Sequence, residues 1–377
     1  MGRFLLIILF LAGAGAGAFY LEQWNFFAPG PPAAHGNATI VLIKPREHSA
    51  RIADELQRAG VIRNAGLFRV GIQLRGMQSN IKAGEYAIPS GASMADIAGI
   101  MMSGKSIQHK ITAAEGLTSR MIYDMVLKNP VLVNDAGAEP PEGGLLPETY
   151  LFTRGTTREQ ILVRMKKAQQ ILVAKLWSSH AANLPLKSPE DAVILASIVE
   201  KETAIPEERR HIAAVFLNRL RLGMKLQSDP TIIYGITKGY PLGRGIRESE
   251  LQNPTPYNTY AVAGLPPTPI CNPGKDAIAA VLNPEDSKDL YFVANGTGGH
   301  TFSSSVVEHQ KNVARWRQIE RSLKTPTQTP LTTSVPDVNL TLRGTTDSEA
   351  NTPPPPGEKV TSTPSPRHRH SHHHQHG

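Results

Sequence analysis

The sequence predicts an α+β protein of several modules, led by an apolar helix and closed by a low-complexity segment. Three observations predict it. Residues 4–19 carry no charge; short β-branched runs at 38–44, 84–89, 107–112 and 290–294 are interspersed with amphipathic helical spacing; and beyond residue 324 the composition turns to Thr, Pro, Ser and His. At 377 residues the chain has room for two or three domains, at roughly 100–200 residues each.

The apolar run follows Arg3 and reaches Phe19, close to the ~17–25 residues of a spanning helix and close also to a long signal-peptide core. Either reading exports the rest of the chain, and the lone Arg3 favours an amino end in the cytoplasm. A Pro/Gly/Ala linker follows. After the strand at 38–44, Ser49 is the expected cap of a helix with Ile52, Leu56 and Ala59 inside, and a second helix carries Leu67, Phe68 and Ile72. The next helix, led by Ser93, buries Met94, Ile97 and Met101. Residues 99–106 match a phosphate-loop pattern by letter, but Gly104 follows helical spacing and reads as a helix C-terminal cap. Further helices are expected from Ser119, from Thr156 or Thr157 (Ile161, Leu162, Met165), from Ser188-Pro-Glu-Asp191 to about Thr203, from Pro206 to Leu222, around 277–281, and over 304–323. Residues 226–299 show little periodicity otherwise.

The balance of 40 Lys+Arg against 32 Asp+Glu gives +8, which suits a polyanionic partner without choosing one. No RNP strand, zinc finger or basic zipper is visible, so nucleic acid is not an expected partner. The single cysteine, Cys271, excludes an internal disulfide and any Cys-based metal centre; it reads as a small buried residue. No cofactor and no metal is expected. The terminal His tract could take up metal adventitiously, and the Thr/Pro-rich stretch before it cannot build a core.

Chemistry concentrates at Ala196-Ser-Ile-Val-Glu-Lys-Glu-Thr203. Two carboxylates end an otherwise apolar helix, and at about 100° per residue they lie about 160° apart. Glu202 shares the row of Leu195, Ile198 and Val199, which packs inward; Glu200 lies on the flank. An acid at the edge of an apolar face is held protonated and can serve as a general acid. The bland alternative is a solvated helix end paired with Arg209 or Arg210. Beyond it, Gln227-Ser228-Asp229-Pro230, Tyr234, Tyr257-Asn258-Thr259-Tyr260 and Gly264-Leu-Pro-Pro267 offer amides, hydroxyls and flat rings on rigid backbone, the inventory of a carbohydrate groove. His300, in a Gly-rich turn, is a further candidate.

These segments, with Val215-Phe-Leu-Asn-Arg-Leu220, Cys271-Asn-Pro-Gly274 and Gly299-His-Thr-Phe302, resemble the MltG (YceG-like) family of membrane-anchored endolytic murein transglycosylases, in family order over residues 38–320. The resemblance implies an inner-membrane anchor (1–21), a linker (22–37), a LysM-like module (38–106), a catalytic domain (107–323) outside the cytoplasm, and leaves the tail (324–377) outside the family core. It implies that Glu202 is the catalytic acid; position and residue type make Glu200, Gln227, Ser228, Asp229, Tyr234, Tyr257, Asn258, Tyr260 and His300 the expected supporting or substrate-binding residues. The substrate would be peptidoglycan glycan strands, cut to 1,6-anhydro ends, with peptidoglycan synthases as candidate partners. A hydrolytic muramidase and a non-catalytic wall-binding scaffold are the rival readings.

Overall fold

In the computed structural model, which describes residues 2–324, the chain is mixed α+β, and its strands form three separate antiparallel pairs with no continuous sheet. The low-complexity tail beyond 324 lies outside the described residues. The first pair joins β1 (Ala38–Ile43) to β2 (Gly84–Pro89), in register from Ala38↔Pro89 to Ile43↔Gly84. Strand alternation buries Val41 and Ile43 and exposes Ile40 and Leu42. Against the buried face pack α2 (Ser49–Arg58), α3 (Ala65–Leu74) and α4 (Met94–Ser103), through Leu56, Phe68, Ile72, Ile97 and Met101. Ser49 is the first residue of α2 and not its cap; His48 holds the cap position and makes no side-chain capping bond. Ser93 and Asp96 form a full capping box on α4, and Gly104 ends it in the left-handed region at φ 72°. The phosphate-loop lookalike is thus a helix C-terminus, whose dipole repels phosphate.

Ahead of this module α1 (Gly2–Phe27) runs further than the sequence implied. Residues 22–27, expected as linker, are its last turns. Arg75, the C-cap of α3, donates to Glu22 Oε1 at 2.8 Å and to Gln23 Oε1 at 2.7 Å, and its guanidinium lies over the Phe26 ring. Phe26 is buried and stacks on Phe68, and a Cβ at Gly71 would overlap its ring. As for the expected spanning segment, among the described residues no helix is long and apolar enough to cross a membrane.

The second pair, β3 (His109–Thr112) with β4 (Thr149–Phe152), packs with α5 (Ser119–Lys128) and α6 (Arg158–Trp177) around Ile111, Ile122, Val126, Leu145 and Met165. Helix α5 begins at Ser119, as expected, with Thr118 as its cap. Glu85 of β2 bridges the two modules, accepting from His109 Nε2 at 2.6 Å and from Arg154 Nε at 2.8 Å.

The third core centres on α7 (Pro189–Glu202). Ser188 caps it, Pro189 takes the first position, and every residue from Ala192 to Val199 is buried. A helix apolar on all sides belongs in a core, and α7 is surrounded by α6, by α8 (Arg209–Arg221), by α9 (Asp229–Thr237) and by α11 (Lys275–Leu282), while the short α10 (Glu248–Gln252) lies in the chain between the last two. A 3-10 turn at Pro206–Glu208 separates α7 from α8. The last pair, β5 (Tyr291–Ala294) with β6 (His300–Ser303), leads into α12 (Val306–Lys324). Helix α9 and strand β6 were not legible as elements: α9 is nine residues opened by Asp229-Pro230, and β6 is four residues beside a glycine turn.

Candidate active site

Glu202 is the last residue of α7, and at Thr203 the backbone leaves the helix for extended geometry. Its carboxylate stands where the helix carbonyls point, the negative end of the dipole. Ser228 Oγ donates to Glu202 Oε1 at 2.5 Å. Around this pair opens a cavity of about 360 Å³, walled by Arg219, Leu226, Gln227 and Asp229 on one side of the chain and by Tyr260, Phe292 and His309 from elements further on.

Burial is the main force on Glu202 and pushes its carboxyl up to about 7; the Ser228 hydrogen bond opposes it, the charge of Asp229 adds to it, and His300 and Arg219 oppose it. A carboxylic acid that keeps its proton to neutrality can deliver it to a leaving oxygen. The neighbouring Asp229 accepts from Tyr260 Oη at 2.6 Å.

The loop that carries Ser228 is fixed by backbone and hydroxyls. Gln227 sits at φ 54°, its N–H donates to Thr259 O, and Ser228 N donates to Thr259 Oγ1 at 2.9 Å. Thr231 Oγ1 donates back to Ser228 O at 2.7 Å. Beneath it, buried Arg219 donates to Leu290 O at 2.6 Å, Leu226 O at 2.9 Å, Gln227 Oε1 at 3.1 Å and Lys225 O at 3.2 Å. Because Ser228 stabilises the ionised form of Glu202, Ser228→Ala should raise the carboxyl further. The alkaline limb of any activity that needs the protonated acid should then move up by about one pH unit; a pH–rate profile checks this, and an unmoved limb would contradict it.

Four predicted residues therefore share the cavity with Glu202 or touch it: Gln227, Ser228, Asp229 and Tyr260. The others stand elsewhere. Glu200 turns to the opposite flank, where its Oε2 accepts from Gly274 N at 2.9 Å and Arg209 lies 3.7 Å from Oε1. It fastens the loop at 271–274 to the helix end. Tyr234 donates to Glu142 Oε2, and Tyr257, tilted against Tyr234, bonds Thr268 at 2.8 Å. Asn258 is buried and gives its amide to the carbonyls of Glu250, Leu251 and Asn253, a turn clasp. His300 pairs with Glu208 at 2.7 Å and reaches the site through its charge. Cys271 is buried against Ser197 O, and burial holds its thiol well above its ordinary range, as expected of an inert residue. Among the described residues no group of three or more His, Cys, Asp or Glu side chains is arranged to hold a metal ion.

Sequence reasoning missed Arg219, Phe292 and His309 as cavity residues. A signal existed for Arg219 alone, a charge set among Phe216, Leu217 and Leu220 in the apolar stretch of α8. A larger cavity of about 560 Å³ lies between α6 and the start of α7, lined in good part by prolines and aliphatic groups; Glu202 and Asp229 are not in it.

With this geometry in place, comparison with known proteins gives a match to the YceG-like family over residues 41–315. Two curated relatives from Streptococcus pneumoniae strains, both named endolytic murein transglycosylase, are 28% identical over 357 residues, spanning 81% of this chain and 64% of theirs. The chain thus matches under two thirds of the length of those relatives. A Bacillus subtilis protein of the same name is 29% identical over 292 residues, 69% of this chain and 79% of its own. A crystal structure of a yceG-like protein from Listeria monocytogenes is 32% identical, covers 74% of this chain and 99% of that one, and superposes with a TM-score of 0.45.

Proposed function

Since the chain belongs to the YceG-like family, we propose that it is an endolytic lytic transglycosylase of peptidoglycan, cutting the β-1,4 bond between N-acetylmuramic acid and N-acetylglucosamine within nascent strands. The observation that carries this reading is Glu202, a carboxylic acid held to about 7 at the wall of a cavity. Glu202 gives its proton to the leaving oxygen of the glucosamine. The muramyl C6 hydroxyl then attacks C1, with the acetamido group assisting, and closes a 1,6-anhydro ring, its proton returning to the Glu202 carboxylate. The nucleophile is already on the substrate, so proximity stands in for an activated water. The relatives' shared name points to the same reaction.

One feature favours a second reading. Asp229 shares the cavity, and a hydrolase sets two carboxylates about 5 Å or about 6.5–9.5 Å apart; a muramidase would use Asp229 to activate water. The two differ in the product. Purified protein acting on sacculi should yield muropeptides lighter by one water, with anhydro ends. Reducing ends of full mass would replace the transglycosylase with the muramidase, and unchanged sacculi would remove both and leave a wall-binding role.

The remaining assignments follow the same reading. The module over 38–106 is LysM-like and contacts glycan, the apolar N-terminal helix tethers the protein to the inner membrane, and the catalytic domain faces the wall, within reach of peptidoglycan synthases. The basic balance of the chain suits a polymer that carries carboxylates.

A further inference from the structure

One side chain of the cavity has no task within the folded protein. His309, near the start of α12, lines the space that holds Glu202. Its ring is fixed by stacking, 5.0 Å from the Tyr291 ring at an interplanar angle of 22°, and not by polar contacts. Nδ1 is enclosed and finds no hydrogen-bond partner among the described residues. Buried polar atoms are almost always paired, so an unpaired one calls for an explanation. Every other polar side chain around the cavity is engaged: Arg219 with Leu290 O and the loop at 225–227, Asp229 with Tyr260, Gln227 with Arg219, Glu202 with Ser228.

We infer that His309 is a substrate-binding residue: its enclosed Nδ1 is out of a ligand's reach, and Nε2, which no group among the described residues engages, is left for a hydroxyl or amide group of the sugar seated against Glu202. Stacking on Tyr291 sets the ring plane before substrate arrives, so little rotamer freedom is lost on binding. Burial and the positive charge of Arg219 hold the imidazole below its usual range. At neutral pH it is uncharged, and Nε2 donates or accepts according to the tautomer, which is what neutral sugar groups require. Groups of titratable or charged character facing it are Arg219, Tyr291, Tyr260, Asp229 and Glu202. A sugar that offers no matching group would leave the ring unsatisfied, and such a mismatch discriminates strongly.

This inference rests on the glycan-cleaving reading above, and the test separates the two. Cleavage of sacculi by the unaltered protein is measured first; absence of any cleavage overturns both. Binding of soluble, peptide-free glycan strands is then measured on Glu202→Gln, with and without His309→Phe. Phenylalanine keeps the stack on Tyr291 and removes both nitrogens. The expected result is an affinity about 10-fold weaker with an unchanged or higher melting temperature, since the lost nitrogen was unsatisfied in the free protein. His309→Gln should recover part of the affinity. Equal binding by the Phe variant, or a fall in affinity that tracks a fall in melting temperature, overturns the role of His309 while leaving the function reading in place. In the cleavage-competent protein the same Phe change should raise KM more than it lowers kcat.

Discussion

Glu202→Gln should abolish strand cleavage and, at pH 8, make the protein more stable. Both effects come from one desolvated carboxyl. Loss of a positioned general acid costs about 10²–10⁴-fold in rate, read as release of muropeptides from sacculi. The stability effect has the opposite sign. The folded chain keeps the Glu202 proton up to about 7, against 4.5 for an unburied glutamate. Below the lower value both states carry the proton and the group is neutral to stability. Between the two, the unfolded chain releases it first, so stability falls as pH rises; above about 7 the full penalty is present. That penalty is no more than about 3 kcal/mol, because the carboxyl still borders an open cavity. Glutamine is uncharged at every pH and can still accept from Ser228. Melting curves at pH 4 and pH 8 should show equal stability at the first and an advantage of several degrees for the variant at the second. An equally active variant would remove Glu202 from the chemistry, and an absent pH 8 advantage would mean that the carboxyl is not desolvated.

The second large effect is expected at a residue that touches no proton in the reaction. Arg219→Leu takes away four hydrogen bonds donated to Leu290 O, Lys225 O, Leu226 O and Gln227 Oε1. The stranded acceptors lie under the loop that holds Ser228 against Glu202. At about 1–3 kcal/mol for each buried group left unpaired, the summed loss should be about 3 kcal/mol or more. The shift of the loop should cost at least about 10²-fold in cleavage, as displacement by an ångström commonly does. Arg219→Lys should recover little, since one ammonium cannot span carbonyls that a planar fork reaches from two nitrogens. Urea midpoints together with turnover test this, and a variant with normal stability and activity would show the guanidinium to be dispensable.

The acid itself was legible in the sequence because its signal is local. Position along a helix fixes direction, so an apolar row containing Glu202 and excluding Glu200 separates the two residues without coordinates, and the structure places them on opposite flanks. The nearest loop was legible for a similar reason: Gln227, Ser228 and Asp229 follow α8 directly and have few places to go. Tyr234, Tyr257 and Asn258 carry the residue types of a sugar groove, yet their hydroxyls and amide are spent on Glu142, Thr268 and backbone carbonyls. Composition cannot tell a free amide from one that clasps a turn. His309 and Phe292 enter the cavity from α12 and β5, so their proximity to Glu202 is a property of topology that no local pattern encodes. Element boundaries failed in the same manner. Ser49 is a good cap by type, but the chain turns one residue earlier and His48 takes the position, whereas the helix expected from Ser119 does begin there.

The end of the first helix has a mechanical consequence. Its final turns are core for the module that follows: Phe26 is interior, Glu22 and Gln23 are gripped by Arg75, and Gly71 leaves no gap for slack. A helix joined this way is a handle and not a leash. Whatever orients the helix orients the β1–β2 pair with it, and the Glu85 bridge to His109 and Arg154 carries that orientation on to the next module. Distance and angle between the helix and the strands it precedes are then set by packing, with the proline-rich stretch after Phe27 bypassed as a joint.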